Sequence, residues 1–156
     1  MIHASYIAHE GKGILFTAPS QTGKSTQAEL WRVHAGAEIL NGDRALLLSR
    51  DDCWHTGGYI ACGSSGVCKN KILPLSAIVV LEQGPKNVIR SATLKERVHA
   101  LFSAMESFHW STEDLDLALS LAGRIAAQTP IFHLSCRPDE DAVRTLQSCL
   151  EAESLC

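Results

Sequence analysis

The stretch Ala18-Pro-Ser-Gln-Thr-Gly-Lys-Ser-Thr26 restricts this chain more than any other. The apolar run Gly13-Ile-Leu-Phe-Thr17 enters it and reads as a strand, while Thr26-Gln-Ala-Glu-Leu-Trp-Arg-Val33 leaves it and reads as a helix. Strand, Gly-Lys-Ser loop and helix in that order form the pattern of a phosphate-binding loop. The first N–H groups of a helix lack partners and carry partial positive charge, so they receive anions. Lys24 is expected to reach the β- and γ-phosphates and Ser25 to ligate Mg²⁺, with Ser20, Gln21, Thr22, Gly23 and Thr26 completing the cradle. Two departures stand out: Ala18 replaces the first glycine of the usual pattern, and Gln21 lies inside the loop.

A chain of 156 residues, 46% of them hydrophobic, suits one globular domain with a single core, expected to span residues 1–156. The formal net charge of −3 argues against nucleic-acid binding, which needs a basic footprint. No apolar run reaches the length of a membrane span, and the opening Met1-Ile2-His3 is not that of a secretory signal. A cytoplasmic protein is the expectation, with its six cysteines as free thiols.

Hairpins come early and helices late. Residues 3–9 alternate as a strand and turn through Glu10-Gly-Lys-Gly13 into the strand that feeds the loop. A helix from Ser25 is expected to end near Ala35, with Gly36 as its stop. Strands follow at 38–40, at 45–48 and around Trp54, with Asp51-Asp52 as a turn. Gly57-Gly58 then reads as a break, and Tyr59–Cys62 as a further strand. Residues 63–71 read as a mobile polar loop. Ala77–Leu81 is the clearest buried strand, and 87–90 stays extended. Helices are predicted from Thr93 to Phe108, from Ser111 to just before Pro130, and from Pro138 to about Leu150, with a strand at 131–134. The second carries Leu115, Leu117, Leu119, Leu121 and Ile125, and Ser111 is spaced from Asp114 like a capping box. The fold class is therefore α/β: a mixed β-sheet with a phosphate loop and a helical C-terminal third.

Phosphoryl transfer also needs a group that positions or deprotonates the acceptor. Asp43, just after a short strand, is the main candidate, either as base or beside Mg²⁺. The competing reading is a turn aspartate bonded to its own backbone within Asn41-Gly-Asp. Glu82 ends the buried strand and is either a metal-side carboxylate or a solvated strand end. His3 is a second candidate catalytic group. Arg44 and Lys69 are cations that can offset phosphate charge or simply face water. Cys53, His55, Cys62 and Cys68 are spaced too loosely for the usual zinc pairs and read as thiols. Trp31 and Trp54 read as packing residues.

Taken in order, His3-Ala-Ser-Tyr-Ile, Gly11-Lys-Gly-Ile-Leu-Phe, Pro19–Thr26, Asn41-Gly-Asp-Arg44 and Pro74–Glu82 resemble the C-terminal domain of HPr kinase/phosphorylase. They resemble more closely its small uncharacterised relatives, which continue Ser-Thr-Gln-Ala-x-Leu-Trp after the loop. The Gly63–Asn70 loop and the tail His133–Asp139 are also similar to those relatives. The resemblance implies a phosphoenolpyruvate-carboxykinase-like nucleotide-binding fold that uses ATP and Mg²⁺ and phosphorylates a hydroxyl on a protein, peptide or small molecule. It also implies a histidine at the site where His3 stands. The family's paired aspartates fall at Gly42 and Asp43, so only the second is kept. The signature tied to reverse phosphorolysis is not recognisable between Gly63 and Lys71, and no HPr-docking helix is evident, which points away from HPr itself as acceptor.

The sequence thus leads to an ATP- and Mg²⁺-dependent kinase of the HPr-kinase type, with Lys24, Asp43 and His3 catalytic and the 63–71 loop closing over the site. The alternative is a nucleotide-binding accessory protein with little or no transfer, motivated by Ala18, Gln21 and Gly42. A metal-binding module on Cys53–Cys68 is a third reading. A homo-oligomer through the apolar C-terminal helices is a further expectation.

Overall fold

The computed structural model describes residues 1–106 and 111–154. Two-residue turns build its first half. Strands β2 (Ser5–His9) and β3 (Lys12–Thr17) meet at Glu10–Gly11, with φ of 48° and 76°. Strands β5 (Arg44–Arg50) and β6 (Cys53–Gly58) meet at Asp51–Asp52, with φ of 49° and 60°. Paired positive φ values give the turn whose twist matches that of a hairpin, and aspartate tolerates this region better than most side chains. The first turn is tighter than the expected Glu10–Gly13, because Lys12 and Gly13 already pair with His9 and Ala8.

The remaining elements are β1 (Ile2–His3), α1 (Lys24–His34), β4 (Glu38–Asn41), β7 (Ile72–Gln83), β8 (Val88–Ser91), α2 (Leu94–Ala104), α3 (Thr112–Gln128), β9 (Ile131–Cys136) and α4 (Glu140–Ser154). Gly36, at φ 64°, follows the end of α1, as expected of a stop. Thr93 and Glu96 form a reciprocal capping box on α2, and Ser111 accepts a bond from the Asp114 N–H at the start of α3. The expected end of the first late helix, Phe108, lies outside the described residues.

The strands form one mixed sheet in the order β1-β5-β6-β7-β3-β2-β4, with β9 beside β7 and β8 beside β9. Strand β7 is its axis. One edge pairs in parallel with β3, while the other pairs antiparallel with β6 over 72–74 and then parallel with β9 over 78–83. This double use explains why the strand is longer than the buried run 77–81. Alternation along β3 and β7 sorts the core. Ile14, Phe16, Val79 and Leu81 pack with Trp31 of α1 and with Val143 and Leu146 of α4. Leu15 and Ile78 face the other way, with Leu101 of α2 and Ile125 of α3. The parallel strands β3, β7 and β9 therefore end together between two helical layers, where open α/β sheets hold their ligands.

Two expectations fail locally. Gly57-Gly58 does not break β6, since both glycines pair with β5. A Cβ at Gly58 would lie 2.2 Å from the Lys69 carbonyl oxygen, so Gly58 answers a close backbone approach and not a chain break. Tyr59–Cys62 is not a strand: the carbonyls of Tyr59 and Ala61 accept from the Asn41 side chain instead of a neighbouring strand. In α3 the leucines at 117, 119 and 121 are exposed, and the buried stripe is Ala118, Ala122, Ile125 and Ala126.

A Cβ at Gly13 would lie 2.3 Å from Thr56 Cγ2 and 2.9 Å from Tyr6 Cε2. Gly13→Ala is expected to lower stability by about 1–3 kcal/mol through overpacking. A lower urea midpoint with an unchanged denaturant slope is the readout.

Candidate active site

The loop between β3 and α1 leaves the start of α1 open. Gly23 is the N-cap, at φ 116° and ψ 19°, and no side chain caps the first turn. The first intrahelical bond, Gln27 N–H to the Gly23 carbonyl, is 2.9 Å. The first-turn N–H groups before it are thus left for an anion. Gln21 also has a left-handed backbone, at φ 65°, and its carbonyl accepts from Gln83 Nε2 at 3.5 Å. Ala18 is not among the described residues with positive φ, so the missing glycine costs the loop no backbone freedom. Lys24 is only 8% exposed, and its Nζ donates to the Ala18 carbonyl at 3.1 Å. Burial lowers its pKa. Nearby Asp43 opposes that shift, and Arg44 adds to it. Ser25 and Thr26 are exposed on the first turn, and Ser20 and Thr22 face a cavity.

Strand β1 brings His3 to this place. It pairs with β5, His3 opposite Arg44, and the Ala4 N–H donates to the Asp43 carbonyl at 3.0 Å. Thr17 Oγ1, at the end of β3, donates to the His3 carbonyl at 3.1 Å. Across this junction His3 Nε2 lies 2.9 Å from Asp43 Oδ1, while Arg44 bonds Asp43 Oδ2 and reaches Glu106 with its other amino group. The turn bonding weighed for Asp43 falls to Asn41. Its buried side-chain oxygen accepts from the N–H groups of Asp43 and Arg44, at 2.9 Å each, and its Nδ2 holds Tyr59 and Ala61. The Asp43 carboxylate is therefore left to His3 and Arg44.

Gly42 has a definite reason. A Cβ there would lie 2.2 Å from Ser65 Oγ. Ser65 belongs to a short turn, Gly63–Ser65, that is laid against the β4–β5 corner, and Gly63, at φ 57°, abuts the Asp43 side chain. Of the 63–71 segment, Gly63 packs on Asp43, the Ser65 hydroxyl donates to the Cys62 carbonyl at 2.6 Å, and Cys68 bridges to Asn41.

A cavity of about 1090 Å³ lies beside the loop, lined by His3, Thr17–Ser20 and Thr22, by Val80–Glu82 at the end of β7, by His133 of β9, and by α2. Glu82 is exposed on its rim. Lys69 is elsewhere, paired with Glu38 at 2.7 Å. Among the described residues no three His, Cys, Asp or Glu side chains converge as a metal group, and Cys53, Cys62 and Cys68 are free. Trp31 and Trp54 are packed in the two cores. Asn41, Ser65, Glu106, His99 and His133 were not singled out from sequence. Only the Asn-Gly-Asp triplet carried a local sign of one of them, and it pointed to the wrong side chain.

The residues present fit a nucleoside triphosphate in one respect and Mg²⁺ in another. The uncapped helix start with Lys24 suits phosphates, and the exposed Ser25 hydroxyl suits a cation held mainly by phosphate oxygens and water. Asp43 has both oxygens occupied, by His3 and Arg44, and so fits a base or positioning group better than a direct metal ligand.

No protein-family model and no curated protein matches this chain. Among solved structures, it is similar to the HPr(Ser) kinase/phosphatase of Coxiella burnetii, with a TM-score of 0.53 over 97% of this chain and 93% of that one, at 12% identity. The likeness is one of fold: a distant HPr-kinase-like α/β architecture. No helix among the described residues is long and apolar enough to cross a membrane.

Gly42→Ala is expected to cost about 1–3 kcal/mol by collision with Ser65. Ser65→Gly in the same chain should recover most of it, because the two substitutions share one contact. Thermal unfolding of the four proteins of the double-mutant cycle measures the coupling, and additive effects would refute it.

Proposed function

We propose that this protein is an ATP-dependent phosphotransferase with a hydroxyl acceptor, of the HPr-kinase type. The observation that carries the reading is the meeting of the uncapped α1 start and Lys24 with the His3–Asp43 pair, which belongs to a different part of the chain. The first-turn N–H groups and Lys24 hold the triphosphate, and Lys24 offsets the charge on the transferring group. Mg²⁺ would be held by the Ser25 hydroxyl together with the phosphates, and would supply neutralisation of phosphate charge. The acceptor oxygen attacks the γ-phosphorus, the bond to the ADP oxygen breaks, and the hydroxyl proton passes to the His3–Asp43 pair. Arg44 keeps Asp43 aimed from the other side. The turn at 63–65, already against Asp43, covers that flank from water.

One observation favours the second reading, a nucleotide-binding accessory protein. The position of a second carboxylate is Gly42, filled by Ser65, and the remaining Asp43 is paired with arginine. That protein would bind nucleotide with no rate for Asp43 to support.

Calorimetric titration with ATP and Mg²⁺ is expected to give saturable binding that weakens at least about tenfold in Lys24→Ala, a loss of roughly 1.4 kcal/mol. Wild-type protein that binds no nucleotide would end the proposal. Slow release of ADP, with water as surrogate acceptor, should fall by about 10²–10⁴ in Asp43→Asn while affinity holds. No wild-type turnover, with binding intact, would select the accessory reading.

Affinity should also depend on pH in one direction. Lys24 is charged below its pKa, and burial sets that pKa below an ordinary lysine's. Nucleotide binding is therefore expected to weaken as pH rises, with the break below the usual lysine range of about 10.4. Lys24→Ala should lack that break.

A further inference from the structure

The cavity beside the phosphate loop is larger than a phosphate cradle requires. Its volume, about 1090 Å³, is at the upper end of small-molecule pockets, which run from about 300 to 1,000 Å³. Its lining includes the loop only from Thr17 to Ser20 and at Thr22; Gly23 to Thr26, where the open N–H groups lie, are not part of it. The space is beside the anion site and not on it. It reaches the site at His3, which lines the cavity and bonds Asp43 through Nε2.

The chemistry of the walls is asymmetric. Ala18, Pro19, Val80, Leu81, Ala100 and Ala104 supply an apolar surface. Lys95 and His99, one turn apart on α2, share a face toward it, with His133 of β9 also in the lining. No ion pair with a carboxylate is formed by Lys95, His99 or His133 among the described residues. The two acids behave differently. Glu96 is taken by Arg90 and by the Thr93 cap, and Glu82 is exposed at the rim. An apolar chamber with the Lys95 ammonium and the His99 imidazole on one wall and the His133 imidazole on another suits an organic anion with an apolar body.

We propose that this cavity is the acceptor site, and that the acceptor is a small hydroxylated organic anion. The inference rests on the phosphotransferase reading for the word acceptor. The site itself rests on the cavity alone. The anionic group meets Lys95 and His99, the apolar body lies along Val80 and Leu81, and the hydroxyl is presented at His3. There the oxygen attacks the γ-phosphorus, ADP leaves, and the proton is taken by the His3–Asp43 pair.

The probe is 8-anilinonaphthalene-1-sulfonate, an apolar body with one anionic group, followed by its fluorescence. The expected result is one saturable site per chain, weakened at least tenfold by Ala100→Trp and about threefold or more by Lys95→Gln. Binding should persist when the protein is saturated with the non-hydrolysable analogue AMP-PNP and Mg²⁺. Ala100 is only partly buried and Lys95 is exposed, so Lys95→Gln keeps the test valid if the tryptophan variant misfolds. Dye binding unaffected by both variants, or no saturable binding, overturns the proposal. Displacement of the dye by AMP-PNP also overturns it, by giving the cavity to the nucleotide. Calorimetric titration with AMP-PNP separates the two readings. Dye bound in the cavity with no nucleotide binding leaves an organic-anion site and removes the phosphotransferase alone.

Discussion

The side chain of Asn41 holds the corner on which the site depends. It is fully buried at the end of β4, and its carboxamide makes four bonds, two accepted from the backbone of the following turn and two donated to the 59–61 segment. A buried amide is worth keeping only if it is satisfied, and this one is. The turn it fixes sets the direction of Asp43 and Arg44, and the segment it tethers carries the 63–65 turn down onto Gly42. One buried polar side chain thus decides where a carboxylate, a guanidinium and a covering loop stand.

Around that corner the chain departs from the usual phosphate-loop pattern without losing its geometry. Alanine at 18 is harmless because the left-handed positions of this loop are Gln21 and Gly23. The strained residue is a glutamine, steadied by a bond to its carbonyl from β7. Glycine at 42 likewise leaves no hole, since Ser65 stands where a side chain would be. Gln21 and Gly42 thus each stand against a specific contact, with Gln83 and with Ser65.

The sequence made the site legible where chemistry is local. The β3–loop–α1 unit, the two-residue turns and the helix caps follow from Gly, Asp, Ser and Thr at fixed offsets, and the structure has them near the expected positions. The meeting of His3 with Asp43 came from the family resemblance. Its cause is the β1–β5 pairing, a contact across 40 residues that no local pattern encodes. Gly57-Gly58 misled because glycine marks both chain breaks and close approaches, and only tertiary structure tells them apart.

Helix α2 joins the two halves of the functional argument. Its outer turns carry Lys95 and His99 into the cavity, and just beyond its end Glu106 takes the second amino group of Arg44. Ion pairs this exposed add little to folding, so stability does not account for the Arg44–Glu106 bond. Geometry does. Arg44 is pulled in two directions, by Asp43 and by Glu106, and this fixes its plane against the carboxylate that bonds His3. The wall of the cavity and the orientation of Asp43 are thereby set by one element. A substitution that shifts α2 must act on both, and the His3–Asp43 pair at their junction is where the two effects meet.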